Sequence, residues 1–212
     1  EELGVPYHAH AINIGEGDQF QEEFLAISPN NKIPAIVDHE GIDGKPTSVF
    51  ESGAILWYLA QKYEKFMLES EAERLSVMQW LMFQMGGVGP MLGQAHHFRI
   101  YAPEPISYAI DRYTNEAKRL YGVIDKRLAQ SQYIAGDAYS VADMAIFPWL
   151  RSYERQGQKL EDFPHLHKWF DAISARPAVI NGCAVLQDAR SSGPISDKAR
   201  EMMFGAAQYQ KR

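Results

Sequence analysis

The chain has 212 residues, of which 46% are hydrophobic, 12% aromatic and 23% charged, and its formal net charge is −6. This composition excludes a disordered chain, a collagen-like chain and a coiled coil. The longest apolar run covers residues 54–60, far short of the roughly 20 residues that a membrane span needs. The sequence shows no basic stripe of the kind that is typical of nucleic-acid-binding proteins. We therefore expect a globular protein with neither a membrane nor a nucleic acid as partner.

Cys183 is the single cysteine. One thiol excludes an intramolecular disulfide, a Cys-x-x-Cys redox pair and a cysteine-based zinc site. Because disulfides are rare in reducing compartments, this usage predicts a cytoplasmic protein.

The first six residues are typical of a helix end. Gly4 suits the left-handed position just past a helix, and Pro6 follows as a stop. We therefore expect that the chain begins partway through a helix.

A mixed α/β pattern follows. Residues 7–14, bounded by Gly15 and Gly17, predict a strand. Asp18 is a candidate cap for a helix over residues 19–27. Residues 33–38 and 47–50 predict two strands joined by a hairpin loop, and residues 51–63 predict a helix with one apolar stripe.

The pattern changes at about Glu69, beyond which every long segment has helical periodicity. These segments cover residues 70–98, 104–130, 140–153 and 163–187, with a break at Pro177. We predict an α/β domain over residues 1–64, an all-α domain over residues 70–187 and a tail over residues 188–212. The tail is irregular at residues 191–194, with room for a last short helix.

The first segment with chemical potential is the loop-to-strand junction at Ile33 and Pro34. Proline is tolerated at the first residue of a strand. A cis peptide bond there would present the N–H and C=O of Ile33 to an extended ligand. An ordinary turn explains the same two residues.

The second is the strand-to-helix junction at Glu51 and Ser52. The first N–H groups of a helix lack intrahelical partners and favour an anion. Glu51 can pair with an ammonium group, and Ser52 can cap the helix or bind a carboxylate. The pair therefore suits an α-amino acid moiety, although a plain serine-capped helix start is an equal alternative.

The third is structural. Ser140 followed by Asp143 is a variant capping box that opens an apolar helix.

These motifs, in this order, resemble those of cytosolic glutathione transferases. The resemblance rests on Asn-Lys-Ile-Pro-Ala at residues 31–35, Phe-Glu-Ser-Gly-Ala-Ile at residues 50–55, and the Ala-Gly-Asp and Ser-Val-Ala-Asp runs at residues 135–143. Segments at residues 15–20, 28–32, 89–98 and 108–113 are similar to the Nu class, the bacterial disulfide-bond oxidoreductases related to the yeast nitrogen regulator. The resemblance covers about residues 1–187.

The resemblance implies a thioredoxin-like first domain that binds glutathione. Ile33 and a cis Pro34 would pair with the cysteinyl part, Glu51 and Ser52 with the γ-glutamyl end, and Gln19 and Lys32 with the glycyl end. Arg112 would reach glutathione from the neighbouring subunit of a homodimer. The second-substrate cleft would be lined by Gln79, Phe83, Gly86 and His97.

The family's first strand and most of its first helix would precede residue 1, and with them the Thr and Asn beside the glutathione sulfur. We therefore expect a truncated chain and assign no catalytic residue. The resemblance implies reduction of a small disulfide or peroxide by bound glutathione as co-substrate, without a metal. Conjugation of glutathione to an electrophile, or a non-catalytic regulatory module, are the alternatives.

Overall fold

The computed structural model describes residues 1–189 and 195–210, and it divides into two compact units. One comprises Glu1–Ile55 with the described part of Ile180–Arg212, and the other comprises Leu56–Val179. The domain boundaries expected at residues 64, 70 and 188 stay predictions. The irregular segment expected at residues 191–194 lies outside the described residues.

The first unit is built on a β-hairpin. Strands β1 (Ala35–Asp38) and β2 (Thr47–Phe50) pair antiparallel, with Ala35 opposite Phe50 and Asp38 opposite Thr47. A short 3₁₀ turn, Ile42–Gly44, lies in the connecting loop. The predicted hairpin is confirmed, and β1 begins just after Pro34, which has no N–H to offer the ladder.

The strand predicted over residues 7–14 is wrong. This segment has no regular secondary structure, and most of its side chains are exposed. A strand needs a hydrogen-bonded neighbour, and the described residues pair only β1 with β2. Composition and bounding glycines can suggest a strand, but they do not supply its partner.

The helix predicted over residues 19–27 is shorter and divided. A 3₁₀ turn, Asp18–Phe20, precedes helix α1, Glu22–Leu25, whose N-cap is Gln21. The predicted cap is wrong, because the Asp18 carboxylate instead accepts the N–H of Asn13 at 2.8 Å.

Helix α2, Ser52–Lys62, follows β2 as predicted. The later α-helices are α3 (Glu71–Phe83), α4 (Gly89–His96), α5 (Ser107–Leu128), α6 (Val141–Leu150), α7 (Pro164–Ser174), α8 (Pro177–Ala184) and α9 (Asp197–Phe204). After residue 69 the described chain contains helices and no strand, which confirms the all-α prediction. None of the helices in residues 1–189 and 195–210 combines the length and apolarity needed to cross a membrane.

The core of the second unit surrounds one buried carboxylate. Asp143 is fully buried and accepts hydrogen bonds from the Ile134 N–H at 2.9 Å, the Ser140 N–H at 3.0 Å and the Trp169 indole N–H at 2.9 Å. Ser140 caps α6, so the predicted capping box is confirmed. Burial raises the pKa of Asp143, and these donors oppose the shift. The carboxylate thus joins α6 and α7 with the segment that precedes α6.

Candidate functional site

The hairpin register brings two predicted site segments together. Because Ala35 lies opposite Phe50, the residues that precede β1 and those that follow β2 lie side by side. The Ile33–Pro34 peptide bond is cis, as the family resemblance implied, and Ile33 is 52% exposed. The four predicted residues Ile33, Pro34, Glu51 and Ser52 therefore form one surface of the first unit.

The loop before Pro34 is ordered by its own side chains. The Ser28 hydroxyl donates to the carbonyl of Lys32 at 2.8 Å, and the N–H of Asn31 donates to the carbonyl of Ser28 at 2.9 Å. Ser28 is buried, with 1% of its surface exposed. A buried hydroxyl with a hydrogen-bond partner keeps a loop in one conformation, so the backbone around Ile33 is preformed.

Glu51 lies at the junction of β2 and α2 with a φ of 68°. Its carboxylate accepts a hydrogen bond from the Asn30 side-chain amide at 3.3 Å, and its carbonyl accepts the first intrahelical bond from Ile55 at 2.9 Å. The side chain is exposed. Because a carboxylate can accept about four hydrogen bonds, Glu51 retains capacity for a cationic ligand group.

Helix α2 begins at Ser52, directly after that carboxylate. Its first N–H groups carry the positive end of the helix dipole. A negative side chain and a positive helix end thus adjoin each other, and an α-amino acid group carries one charge of each sign. Binding of such a group here stays a prediction.

Lys32 and Gln19, the residues predicted for the glycyl end, have different surroundings. The exposed Lys32 ammonium donates to the side-chain oxygen of Gln208 at 3.4 Å. Gln19 is buried, and its amide nitrogen donates to the carbonyl of Ile14 at 3.2 Å. Its oxygen has no hydrogen-bond partner in the described part of the chain. Gln19 therefore orders the loop after residue 14, and its role toward a ligand stays a prediction.

Arg112 lies on α5 in the second unit, exposed at a cavity of about 750 Å³. On the same helix face, the Arg119 guanidinium binds both carboxylate oxygens of Glu116 at 2.7 and 2.8 Å. The hydrogen bond from Arg119 lowers the pKa of Glu116, and the charge of Arg112 adds to the effect. The cavity lining includes two cations, Arg112 and Arg119, and two carboxylates, Asp111 and Glu116. The approach of Arg112 to a neighbouring subunit's ligand stays a prediction.

The predicted cleft residues lie on α3 and two adjacent π-helical segments. Gln79 is exposed on α3, and the half-buried Phe83 packs edge-on against Trp80, with ring centroids 5.2 Å apart. Gly86 lies in the π-helix Gln84–Val88, and His97 begins a second one, His97–Tyr101, in which it contacts Phe98. Their role as a cleft stays a prediction.

Three contributors to the site surface escaped the prediction. Asn30 and Asn31 lie in motifs that carry the family resemblance but were assigned no ligand-binding role, although their amide donors adjoin Lys32. Gln208 gave no signal at all, because it contacts Lys32 across 176 residues of sequence. The π-helical segments Gln84–Val88 and His97–Tyr101 were also not predicted.

Comparisons with known proteins match both parts of the chain. The family "Glutathione S-transferase, N-terminal domain" matches residues 1–62, and "Glutathione S-transferase, C-terminal domain" matches residues 90–177. The chain is 50% identical over 179 residues to the disulfide-bond oxidoreductase YfcG of Escherichia coli, covering 84% of this chain and 83% of that protein.

Two solved structures are similar. A glutathione transferase from Burkholderia graminis, with two glutathione molecules bound per subunit, is 44% identical with a TM-score of 0.82, covering 86% of this chain and 79% of that one. One from Pseudomonas putida, with one glutathione disulfide bound per subunit, is 43% identical with a TM-score of 0.80, covering 85% and 81%.

The chain therefore belongs to the glutathione S-transferase family, an enzyme family, as its motifs predicted. It has the family's fold, in which a thioredoxin-like N-terminal domain with a small sheet is followed by an all-helical C-terminal domain.

Proposed function

We propose that this protein reduces small disulfides, and peroxides by the same route, with the thiolate of bound glutathione as the nucleophile. The observation that carries the proposal is the hairpin register, which places the exposed residue Ile33 beside Glu51 and the start of α2. The name of the Escherichia coli relative, a disulfide-bond oxidoreductase, supports the choice of reaction.

Glutathione offers groups that match this surface one by one. Its γ-glutamyl ammonium would pair with the exposed Glu51 carboxylate, and its γ-glutamyl carboxylate with Ser52 and the first N–H groups of α2. Its cysteinyl backbone would pair with Ile33, and its glycyl carboxylate would lie near Lys32 and Gln19. In a homodimer, Arg112 of the second subunit would add a further cation. No metal takes part in this scheme.

The reaction proceeds by two thiol–disulfide exchanges. The glutathione thiolate attacks one sulfur of the substrate disulfide, forms a mixed disulfide and releases one substrate thiolate. A second glutathione thiolate attacks the glutathione sulfur of that mixed disulfide and releases the other substrate thiolate. Two glutathiones are oxidised to one glutathione disulfide while one substrate disulfide is reduced to two thiols. The glutathione transferases from Burkholderia graminis and Pseudomonas putida bind two glutathiones and glutathione disulfide, respectively.

A peroxide would follow a parallel course. The thiolate attacks the terminal oxygen of a hydroperoxide and breaks its O–O bond. The sulfur becomes a sulfenic acid, and the alkoxide leaves and takes up a proton. A second glutathione thiolate then displaces hydroxide, and the product is again glutathione disulfide.

The protein's own thiol has no part in this scheme. Cys183 is half-buried in α8 and forms no disulfide. With one cysteine the chain cannot cycle a dithiol of its own. The electrons would therefore come from glutathione, which is abundant in reducing compartments such as the cytoplasm.

Turnover of glutathione with a small dialkyl disulfide tests the proposal. We expect one glutathione disulfide per substrate disulfide, at the same rate in wild type and in Cys183→Ser. Loss of activity in Cys183→Ser would show that the protein's own thiol takes part in the reaction. No rate above buffer would favour a non-catalytic module, and faster conjugation to an aryl halide would favour a conjugating transferase.

A further inference from the structure

The described part of the C-terminal tail, residues 195–210, forms an arm that docks on the loop over residues 13–17. The Lys198 ammonium pairs with the Glu16 carboxylate. A side chain on Gly15 would place its Cβ 3.1 Å from that of Ala199, and one on Gly17 would lie 3.4 Å from the sulfur of Met202. The absence of a side chain at Gly15 lets α9 approach the loop closely, while Gly17 supplies a positive φ of 95°.

The end of this arm contacts the segment that precedes cis Pro34. The side-chain oxygen of Gln208 accepts hydrogen bonds from the Lys32 ammonium at 3.4 Å and the Asn31 amide at 3.5 Å. Its amide nitrogen donates back to the carbonyl of Met202 in α9. The neighbouring Ala207 is buried, with 7% of its surface exposed. Gln208 thus joins the arm to the loop that carries Lys32.

We infer that Gln208 is a positioning residue for the glycyl end of glutathione, acting through Lys32; this inference rests on the proposed function. A lysine side chain loses considerable rotamer freedom when it is fixed on a ligand. Gln208 orders the ammonium in advance of binding. Because its amide is neutral, it leaves the charge of Lys32 intact and occupies one of three N–H donors. The remaining donors have no partner among residues 1–189 and 195–210 and can bind a carboxylate.

The charges around the arm favour Lys32 as the anion-binding point. A cavity of about 560 Å³ adjoins the contact and is lined by α1, the loop after it and the arm, including Asn31 and Gln208. The acidic side chain in this lining is Glu22, which disfavours a carboxylate deeper in the cavity. Lys198 is already paired with Glu16. A glycyl carboxylate would therefore bind at Lys32 rather than beneath the arm.

Calorimetric titration of the intact protein with two ligands tests the inference. S-methylglutathione contains the glycyl carboxylate, and γ-glutamyl-S-methylcysteine lacks the glycine. We expect Gln208→Ala to bind S-methylglutathione about fivefold to tenfold more weakly, because the Lys32 side chain would then lose its rotamer freedom only on binding. It should bind the dipeptide as wild type does. Gln208→Glu would weaken S-methylglutathione binding too, because its charge competes for Lys32.

Tyr209→Ala is the matched control, since Tyr209 adjoins Gln208 and is 83% exposed; it should bind both ligands normally. In a Lys32→Ala background, Gln208→Ala should cause no further loss. An equal loss for both ligands, or no loss for either, would overturn the inference while leaving the proposed function intact. If wild type bound neither ligand, both would be overturned.

Discussion

Two carboxylates, one in each unit, have opposite surroundings. Asp143 is fully buried and accepts hydrogen bonds from a backbone N–H before α6, a backbone N–H at its cap and an indole on α7. Glu51 is exposed and accepts one from the Asn30 amide. Both carboxylates lie at helix starts that the local sequence predicted. The first has its hydrogen-bonding capacity occupied by the protein, and the second retains capacity for a ligand.

This contrast predicts that Asp143 stabilises the fold and that Glu51 binds a ligand. Removing an acceptor from several buried donors destabilises the protein, because each donor loses a partner that water cannot replace. Removing an exposed acceptor costs little stability, and its effect is confined to what the acceptor binds. The predictions below test each side of the comparison.

The largest effect is expected at Asp143. Asp143→Ala leaves the N–H groups of Ile134, Ser140 and Trp169 unpaired in the core. We expect a loss of about 3 kcal/mol or more in the free energy of unfolding, measured by denaturant titration. Asp143→Asn, which keeps one acceptor oxygen, should lose less.

The control for this variant is Asp137→Ala, which removes an exposed carboxylate nearby in sequence and should leave the unfolding midpoint unchanged. Stability near that of wild type in Asp143→Ala would show that the buried hydrogen bonds do not stabilise the second unit.

A smaller effect, on affinity rather than stability, is expected at Glu51. Glu51→Gln keeps the shape of the side chain but removes the charge that would pair with the γ-glutamyl ammonium. We expect S-methylglutathione to bind about 10- to 100-fold more weakly, with an unchanged unfolding midpoint.

Glu64→Gln is the matched control, since Glu64 is also exposed and also has a positive φ, of 50°. Equal affinities in Glu51→Gln and Glu64→Gln would place the γ-glutamyl end elsewhere.

The smallest effect is expected at the ion pair on α5 between the exposed Arg119 and the partly buried Glu116. The pKa of Glu116 is lowered in the folded protein by Arg119, so the pair stabilises the fold above the usual carboxyl pKa, and that contribution is lost as the pH falls. In Arg119→Ala, the Glu116 pKa should rise toward 4.5, which an NMR titration would detect. Lys118 is an exposed cation on the same helix, and Lys118→Ala should leave the pKa of Glu116 unchanged. An unchanged Glu116 pKa in Arg119→Ala would show that the ion pair is absent in solution.

Local signals predicted much of the fold and of the candidate site. The hairpin and the capping box at Ser140 were predictable, because each depends on residues close in sequence. The cis bond at Pro34 followed only from the family resemblance, since an ordinary turn explains the same two residues. The strand expected at residues 7–14 failed, because pairing depends on a neighbour that composition does not reveal. The contact between Gln208 and Lys32 was equally invisible, since it depends on where the tail docks.

A crystal structure of the protein with glutathione tests the central claim most directly. We predict density for the tripeptide on the first unit, with its cysteinyl backbone paired to Ile33 and its γ-glutamyl ammonium within 3.5 Å of the Glu51 carboxylate, about the limit for a hydrogen bond. Glutathione bound away from the junction of β2 and α2, or with that ammonium on another carboxylate, would contradict the account.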